Sequence, residues 1–229
     1  GAVATMGEWV ISLVRLNDIS DFNEIDQTVT VGAGVITEQI HNFAEEHNLF
    51  YPVDFASSGS SHIGGNIATN AGGIRVLRYG LTRDYVLGLT VVTGAGDILK
   101  LNNGLVKNAS GLDFRHLMIG SEGILGIVVE AEIKLINQPP NQSVMLLALS
   151  SLEAVMAVFA QARAALTLSS FEFFSDRSLK RVMAHREFDN PFEELHPFYV
   201  LLEFDENEAP AMAVFELGME AEHVTDGII

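Results

Sequence analysis

The sequence predicts an α+β protein, and three observations support this class. Segments rich in β-branched and aromatic residues are interspersed with segments of helical periodicity along the 229 residues. Fourteen of the 20 glycines fall between Gly59 and Gly126, which indicates loops rather than regular structure there. The pair Pro139-Pro140 then separates this part from a second part with few glycines. We therefore predict two domains, residues 1–138 and residues 139–229.

The first part carries the patterns of an antiparallel sheet with one amphipathic helix. β-branched runs predict strands over 8–14, 27–34, 86–92, 97–101 and 124–136, with a further strand near 19–25. The turn Thr93-Gly94-Ala95-Gly96 makes 86–101 a hairpin. Apolar residues on one face predict a helix over 37–47, capped by Thr37.

The second part alternates strands and helices more regularly. Strands are predicted over 143–150, 168–174 and 198–204, and helices over 152–165, 176–186 and 208–221. This order favours a sheet with its helices on one face. The last four residues stop where another strand would start, so we expect this domain to be incomplete.

The composition excludes several classes of function. With 30 acidic and 13 basic residues, the net charge of −17 disfavours nucleic acid and anionic membrane surfaces. The absence of cysteine excludes disulfides, thiolate nucleophiles and thiolate metal sites and fits a reducing compartment. We expect a cytoplasmic protein, either free or associated with a membrane through a partner. No apolar run is long enough to span a membrane, and the N-terminus lacks the pattern of a signal peptide. Because the chain does not begin with Met, we expect it to be a piece of a longer protein.

A loop of small residues over 57–73 is the strongest candidate for chemistry. Glycines permit a close approach of backbone N–H groups to a ligand, and Ser, Thr and Asn add donors of little bulk. A helix starting near Gly64 would add its positive end, which favours a phosphate group. From the residues alone, an anion-tolerant ligand loop and a packing loop remain equally open. The loop matches neither the phosphate-binding loop ending in Lys-Ser/Thr nor the three-glycine Rossmann pattern.

Charged and titratable residues near this loop leave their roles open. Arg75, Arg78 and Arg83 would either offset the charge of a bound diphosphate or pair with carboxylates such as Asp84. His62 lies in the loop and is a candidate ligand contact, although a packed or exposed histidine is the commoner outcome. The histidines show no metal-ligand spacing, so no metal site is predicted and no catalytic residue is assigned.

Two motifs carry a resemblance to a known family. The run Ser61-His62-Ile63-Gly64-Gly65-Asn66-Ile67-Ala68-Thr69-Asn70-Ala71-Gly72-Gly73, followed by Arg75 and Arg78-Tyr79-Gly80, closely resembles the FAD-linked oxidases of the vanillyl-alcohol-oxidase type. The segment Gly120-Ser121-Glu122-Gly123-Ile124-Leu125-Gly126-Ile127-Val128 is similar to their second flavin motif. Segments 196–203 and 224–227 favour the D-2-hydroxyglutarate dehydrogenases within this family. D-lactate dehydrogenases and glycolate oxidase flavin subunits share the glycine motifs and are close rivals.

The resemblance implies a fold, a cofactor and a set of contacts. It implies the second lobe of a p-cresol methylhydroxylase (PCMH)-type FAD-binding domain over 1–138, without its first lobe, and a truncated substrate-side cap domain over 139–229. Residues expected to contact or shape the FAD site are Pro52, Asp54, Ser61, His62, Gly64, Gly65, Asn66, Thr69, Asn70, Gly126, Ile127 and Val128.

The implied reaction is the oxidation of a D-2-hydroxy acid, such as D-2-hydroxyglutarate, D-lactate or glycolate, to the 2-oxo acid by hydride transfer to flavin. The implied partners are this small-molecule substrate and an electron-accepting protein or quinone chain, and a homodimer is an expected assembly. The family's substrate-binding, metal and catalytic motifs are not matched in these residues, so we expect the fragment alone to lack turnover and to bind FAD weakly or not at all. The alternative is a non-catalytic folded lobe that serves as a subunit interface or as a platform for a partner.

Overall fold

The computed structural model describes residues 4–102, 104–105, 107–186 and 189–229. They form two compact units. Unit 1 comprises Gly1–Gly73 and Tyr79–Gln138, and unit 2 comprises Ile74–Arg78 and Pro139–Ile229. Both units combine helices with antiparallel sheets, so the predicted α+β class is confirmed. The predicted domain limits stay a prediction.

The elements from the start of the chain to Gln138 are mostly short. In chain order they are β1 (Ile19–Asn23), β2 (Thr28–Gly32), α1 (Thr37–Glu46), β3 (Leu49–Phe50), α2 (Ile63–Thr69), α3 (Val76–Tyr79), a 3₁₀ turn (Thr82–Asp84), β4 (Val86–Val92), β5 (Ile98–Leu101), α4 (Arg115–Met118), β6 (Ile127–Lys134) and β7 (Ile136–Asn137). The predicted strands at β2, β4 and β5 and the predicted helix at α1 are all present.

One antiparallel sheet of five strands organises unit 1. Its order is β1-β2-β6-β4-β5, and the small pair β3–β7 lies apart from it. Alternate β-branched residues of β2 and β6, such as Val31 and Ile133, point into a core that also receives Ile40 of α1 and Ile67 of α2. Each such fully buried aliphatic side chain contributes about 1.5–3 kcal/mol of hydrophobic stabilisation. The core therefore fixes α2, and with it the glycine-rich loop, against the sheet.

The strand predicted over 8–14 is wrong. The chain there forms no ladder, and most of its side chains are exposed, with Trp9 at 96% and Ile11 at 67%. Strand propensity reflects packing on a paired, half-buried surface rather than an intrinsic backbone preference. The apolar run finds no such partner strand among the described residues, so it stays outside the sheets and ends in a turn at Val14.

The long strand predicted over 124–136 is also shorter than expected. β6 begins only at Ile127, because Gly120, Glu122 and Gly123 adopt left-handed backbone conformations and turn the chain first. At the other end, Leu135 leaves the ladder and donates its N–H to the carbonyl of Gln27 at 2.7 Å. The apolar composition of the segment predicts one strand, whereas the turn geometry divides the segment.

Unit 2 contains longer and more regular elements. They are β8 (Gln142–Leu149), α5 (Leu152–Ala165), β9 (Leu168–Ser175), α6 (Asp176–His185), β10 (Phe198–Asp205), α7 (Glu208–Glu220) and β11 (Val224–Ile228). The sheet order is β11-β8-β10-β9, antiparallel throughout. The strand anticipated at the end of the sequence is therefore present as β11 and occupies one edge.

The prediction that all three helices of this unit lie on one face of the sheet is wrong. Residues of α5 and α7 share a buried cluster with Val200 and Leu202 of β10. Leu179 of α6 instead packs with Tyr199 and Ala148, whose side chains point to the opposite face. Because side chains alternate along a strand, the two clusters lie on opposite sides of the sheet. The sequence pattern of β8 and β10, apolar at nearly every position, is that of strands buried on both faces.

Candidate functional site

The first turn of α2 is fixed to the end of β2 by backbone hydrogen bonds. The N–H of Ile63 donates to the carbonyl of Val35 at 2.8 Å, and the N–H of Gly64 donates to the carbonyl of Ala33 at 2.9 Å. These two donors are therefore engaged inside the protein. Fewer backbone N–H groups at this helix N-terminus are therefore free to bind an anion than the sequence predicted. The helix α2 is also only seven residues long.

The adjacent glycines of this turn have different surroundings. A Cβ atom on Gly64 would lie 2.6 Å from the Cβ of Ala33, so this close packing requires glycine. A Cβ atom on Gly65 would meet no atom within 4 Å, and the residue is exposed. Gly64 is therefore a packing residue, whereas Gly65 leaves open space beside the helix.

A buried hydrogen-bond network around Thr37 holds both sides of the loop. The Nδ2 of Asn66 donates to the Oγ1 of Thr37 at 2.6 Å, and this hydroxyl is also 2.8 Å from the Oγ of Ser61. Thr37 is fully buried and Asn66 is 6% exposed. A hydroxyl donates one hydrogen bond and accepts two, so Thr37 can serve both partners at once. Ser61 and Asn66 are thereby fixed relative to each other.

This network corrects the role predicted for Thr37. Ile36, not Thr37, is the residue before the first turn of α1, and the Thr37 hydroxyl makes long-range contacts instead of capping the helix. Sequence reasoning missed this role because a threonine at a helix start most often predicts a local cap. No local signal points to partners 24 and 29 positions away.

Five of the predicted FAD-site residues line one cleft of unit 1. The cleft has a volume of about 510 Å³, within the range of small-molecule sites. Its polar wall is formed by the loop and α2, and its apolar wall by residues 10–14 near the start of the chain. The lining residues are Ser61, His62, Gly65, Asn66 and Thr69 on the first wall, with Ala33, Val10, Ile11, Ser12, Leu13 and Val14 completing the cleft.

Two further glycines hold the second wall in place. Added Cβ atoms at Gly32 and Gly34 would overlap the carbonyl oxygens of Leu16 and Leu13. The N–H of Gly34 also donates to the carbonyl of Leu16 at 2.7 Å. The N-terminal segment thus lies directly on the end of β2 because no side chain intervenes there.

The second glycine motif contacts the last turn of α2. The N–H of Gly120 donates to the carbonyl of Ile67 at 3.0 Å, and the N–H of Glu122 donates to the carbonyl of Ala68 at 2.7 Å. These carbonyls belong to the free end of a helix, where partners from elsewhere are needed. Gly120 has a φ of +83°, which favours glycine at the point of contact. The structure therefore brings the two motifs together.

The other predicted site residues lie outside the lining of this cleft. Gly64 lies in α2, and Asn70 directly follows its last residue. The Oδ1 of Asn70 accepts a hydrogen bond from the backbone N–H of Arg83 at 3.1 Å. A Cβ on Gly126 would lie 2.6 Å from Val91, and Val128 is in the core. The remaining members of this group are Pro52, which is buried, and Asp54 and Ile127, which are half-buried. Their contacts with a ligand stay a prediction.

Two of the three arginines near the loop pair with carboxylates. Arg75 contacts Glu203 and Arg78 contacts Asp205, all within unit 2. The ion-pair alternative therefore describes these two arginines, with partners more than 120 positions away. Asp84, named as a candidate partner, accepts the backbone N–H of Leu81 at 2.7 Å.

Arg83 lies instead between the two glycine motifs of unit 1. Its guanidinium donates to the carbonyl of Ile119 at 3.3 Å, and its Nη1 is 3.3 Å from the Nδ1 of His116. Its Nη2 would be 3.7 Å from a Cβ atom on Gly120. Arg83 is thus the positively charged side chain next to the junction of the motifs.

The histidines are mostly engaged in structural contacts. His41 and His47 bond to the carbonyls of Val53 and Phe43 at 3.0 and 2.8 Å. Within the described parts of the chain, no group of three or more His, Cys, Asp or Glu residues is arranged to hold a metal ion. The same described residues contain no helix with the length and apolarity needed to cross a membrane.

Comparison with known families matches both parts of the chain. Residues 1–102 match the family described as FAD binding domain. Residues 138–227 match the family described as FAD linked oxidases, C-terminal domain. The cleft and its polar wall lie within the first matched region.

Individual relatives match the chain over its whole length. The chain is 60% identical to a D-2-hydroxyglutarate dehydrogenase of Xanthomonas citri and 49% identical to one of Stutzerimonas stutzeri, across its whole length. It covers 49% and 50% of those two proteins, and so spans about half the length of the curated relatives it matches. A solved alkyldihydroxyacetonephosphate synthase structure has a TM-score of 0.70 at 17% identity, over 92% of this chain and 42% of that one, and supports the fold.

Proposed function

Because the chain belongs to the FAD-linked oxidases, we propose that the cleft of unit 1 forms part of an FAD site in a D-2-hydroxy acid dehydrogenase. The membership is the one predicted from the two glycine motifs. The observation that supports the proposed site is the presence of Ser61, His62, Gly65, Asn66 and Thr69 around one cleft.

The residues of the cleft fit the phosphate-bearing part of a dinucleotide. Ser61 supplies a hydroxyl, and the Asn66 amide has a second N–H beyond the one donated to Thr37. Gly65 leaves room for a ligand to approach the backbone. Neutral donors of this kind bind phosphate oxygens without a lysine or arginine. Ser61, Asn66 and Gly65 are the residues proposed to hold this portion of FAD.

The proposed reaction is the conversion of a D-2-hydroxy acid to its 2-oxo acid. When bound, FAD supplies the hydride acceptor, which no side chain of this chain can replace. The residues of the cleft bind and orient the cofactor, and the apolar wall over 10–14 limits access of water to it. D-2-hydroxyglutarate is the first candidate substrate because it is named in the two relatives above. D-lactate and glycolate are the alternatives, and a putative D-lactate dehydrogenase of Schizosaccharomyces pombe is 36% identical.

The proposal extends to partners and location. Reduced flavin requires an electron acceptor, and we propose a partner protein or a quinone chain in this role. A homodimer is the proposed assembly, and the cytoplasm the proposed location. The cysteine-free sequence suits a reducing compartment.

The cofactor proposal is tested by filling the cleft at one glycine. In the full natural protein that carries these residues, we expect Gly65→Val to abolish or strongly weaken FAD binding, measured from the visible absorption of bound flavin. Gly94→Val is the matched control, because Gly94 also has open space around its Cα and lies in the β4–β5 turn outside the cleft lining. Equal FAD occupancy in both variants would contradict the proposed site.

The activity is tested separately. The FAD-loaded wild-type protein is mixed with D-2-hydroxyglutarate, D-lactate or glycolate and a redox dye, and dye reduction is followed. We expect the dye to be reduced with at least one of the three acids. If that acid is D-2-hydroxyglutarate or D-lactate, its L enantiomer should not reduce the dye; glycolate is achiral and has no such control. A loaded protein that reduces the dye with none of them is not a dehydrogenase of these acids.

A further inference from the structure

The helix α2 lies in the glycine-rich segment over 57–73, which we call the ligand loop, and it ends in a left-handed turn. Asn70, the residue after the helix, has a φ of +48°. Its N–H donates to the carbonyl of Ile67 at 3.0 Å, and the N–H of Ala71 donates to the carbonyl of Asn66 at 2.8 Å. This is a Schellman motif, in which glycine is the most frequent residue at the left-handed position. The backbone therefore does not require the amide side chain of Asn70.

The amide of Asn70 instead ties the end of the ligand loop to the 3₁₀ turn that precedes β4. Its Oδ1 accepts the backbone N–H of Arg83 at 3.1 Å. Thr82, which is fully buried, donates both its N–H and its Oγ1 to the carbonyl of Ala71, at 3.1 and 2.7 Å. All four residues belong to unit 1. Three hydrogen bonds thus connect the end of the loop to this turn.

The side chain of Arg83 extends the connection to the second glycine motif. Its Nη2 donates to the carbonyl of Ile119 at 3.3 Å, directly before Gly120. A Cβ atom on Gly120 would lie 3.4 Å from the Cβ of Asn70 and 3.7 Å from the Nη2 of Arg83. Because Gly120 has no side chain, both residues lie against the backbone of the motif.

The second motif is itself fixed to the five-stranded sheet. Arg115 in α4, just before the motif, is 8% exposed and donates to the carbonyls of Val86 and Leu87 at 2.6 and 2.8 Å. Its Nε lies 3.0 Å from both carboxylate oxygens of Asp113, which orients the guanidinium. The motif therefore meets Asn70 and Arg83 from a defined position on the sheet.

We propose that Asn70 and Arg83 are positioning residues, which hold the ligand loop and the second glycine motif in one arrangement. This inference rests on the proposed FAD site, and it replaces the cofactor contact that the resemblance implies for Asn70. Thr69 lines the cleft and directly precedes Asn70, so a fixed Asn70 fixes this part of the polar wall. A loop held in its binding conformation loses less entropy when the ligand binds, which raises affinity.

The first test compares two substitutions of Asn70 in the full natural protein that carries these residues. Asn70→Gly keeps the left-handed backbone and removes the acceptor, and we expect the dissociation constant for FAD to rise about tenfold. Asn70→Asp keeps an oxygen acceptor for the N–H of Arg83, and we expect a dissociation constant within about threefold of the wild-type value.

A direct phosphate ligand would respond in the opposite order. Aspartate lacks the amide donors of Asn70 and repels a diphosphate, so weaker FAD binding in Asn70→Asp than in Asn70→Gly would overturn the positioning role. Asn48→Gly is the matched control, because Asn48 is exposed, has a φ of +57° and lies in unit 1 outside the cleft lining. It should leave the FAD affinity unchanged.

The second test asks whether Arg83 acts through its hydrogen bonds or through its charge. Arg83→Met removes the guanidinium donors, and we expect the dissociation constant for FAD to rise about threefold at low salt and at about 0.5 M salt alike. Lys100→Met is the control, because it removes an exposed positive charge of unit 1 outside the cleft lining and should change nothing. An effect of Arg83→Met that disappears at high salt would show attraction of the diphosphate by charge and overturn the positioning role of Arg83.

The third test needs no FAD. Hydrogen–deuterium exchange of the cofactor-free protein, read by mass spectrometry in peptides that contain Arg83, reports how often its backbone N–H loses its acceptor. We expect faster exchange in Asn70→Gly and wild-type exchange in Asn70→Asp and Asn48→Gly. Unchanged exchange in Asn70→Gly would overturn the connection between the loop and the turn.

Together the tests separate failure of this inference from failure of the proposed function. Faster exchange with weaker FAD binding in Asn70→Gly, and near wild-type values of both in Asn70→Asp, supports the positioning role. Faster exchange with unchanged FAD affinity overturns the role in cofactor binding and leaves the FAD site intact. A wild-type protein that binds no FAD would overturn the proposed function, and the positioning role with it.

Discussion

The sheet of unit 2 and the ligand loop of unit 1 are stabilised in different ways. Along the sheet, β8 and β10 pair continuously from Leu149 opposite Phe198 to Gln142 opposite Asp205. The loop has no such ladder, and Thr37, Ala33 and the second glycine motif hold it by single contacts from distant parts of the sequence. The sheet therefore depends on repeated apolar burial, whereas the loop depends on a few positions that tolerate no substitute.

The buried face of the unit 2 sheet should be the part of the protein most sensitive to substitution. Leu202 is fully buried between β10 and the helices α5 and α7. Leu202→Ala removes this side chain and leaves a cavity, so the free energy of unfolding should fall by about 2–5 kcal/mol in denaturant titrations. Leu201→Ala, one position along on the opposite face and 40% exposed, should cost less than about 1 kcal/mol. Similar losses for both variants would contradict the assignment of faces.

The next effect tests the close packing of the loop. Gly64→Ala places a methyl group 2.6 Å from the Cβ of Ala33, and overpacking of this kind costs about 1–3 kcal/mol in unfolding experiments. Gly65→Ala meets open space in the same helix and should be neutral or slightly stabilising, since alanine favours helices. If Gly65→Ala were the more destabilising of the two, the orientation of α2 against β2 would be wrong.

A smaller effect tests the buried network of the loop. Thr37→Val keeps the volume of the side chain and leaves the Nδ2 of Asn66 without its partner, at a cost of about 1–2 kcal/mol in the free energy of unfolding. FAD binding should weaken in parallel, because Ser61 and Asn66 both line the cleft. Thr37→Ser retains the hydroxyl and should restore FAD affinity. Equal FAD affinity in the Val and Ser variants would exclude a role for this hydroxyl in the site.

The same contrast explains what the sequence could and could not predict. The strands and helices of unit 2 were predicted within one or two residues, because apolar periodicity follows from burial on defined faces. The side on which α6 packs was not, since its single buried leucine, Leu179, does not say which face receives it. In unit 1 the run over 8–14 has strand composition but no partner, so propensity alone gave a wrong strand.

The candidate site was recognisable from its motifs, but its construction was not. Ser61, Gly65 and Asn66 stand out as small polar residues in one stretch of sequence, and all three line the cleft. Thr37 carries no such signal. Its role arises from hydrogen bonds over 24 and 29 positions, which only the folded chain brings into contact.

Acid should reduce the stability of each unit slightly, through one carboxyl group in each. Arg115 donates hydrogen bonds to Asp113 in unit 1, and these lower the pKa of that carboxyl against the effect of burial. In unit 2, burial would raise the pKa of Asp205, but Arg78 and Gln142 lower it overall. A carboxyl whose pKa is lower in the folded state stabilises the protein above its unfolded pKa of about 3.9, and this contribution is lost as the pH falls through the folded value.

Denaturant midpoints followed from about pH 6 to about pH 3 should therefore decline in the acid range for the wild-type protein. Asp205→Asn removes the titrating group of unit 2, so its midpoint should be lower near neutral pH and should decline less steeply below about pH 4. Asp113→Asn should do the same for unit 1. An Asp205→Asn variant whose midpoint falls as steeply as that of the wild type would show that the network of Arg78, Gln142 and Ser169 does not depend on the charge of this aspartate.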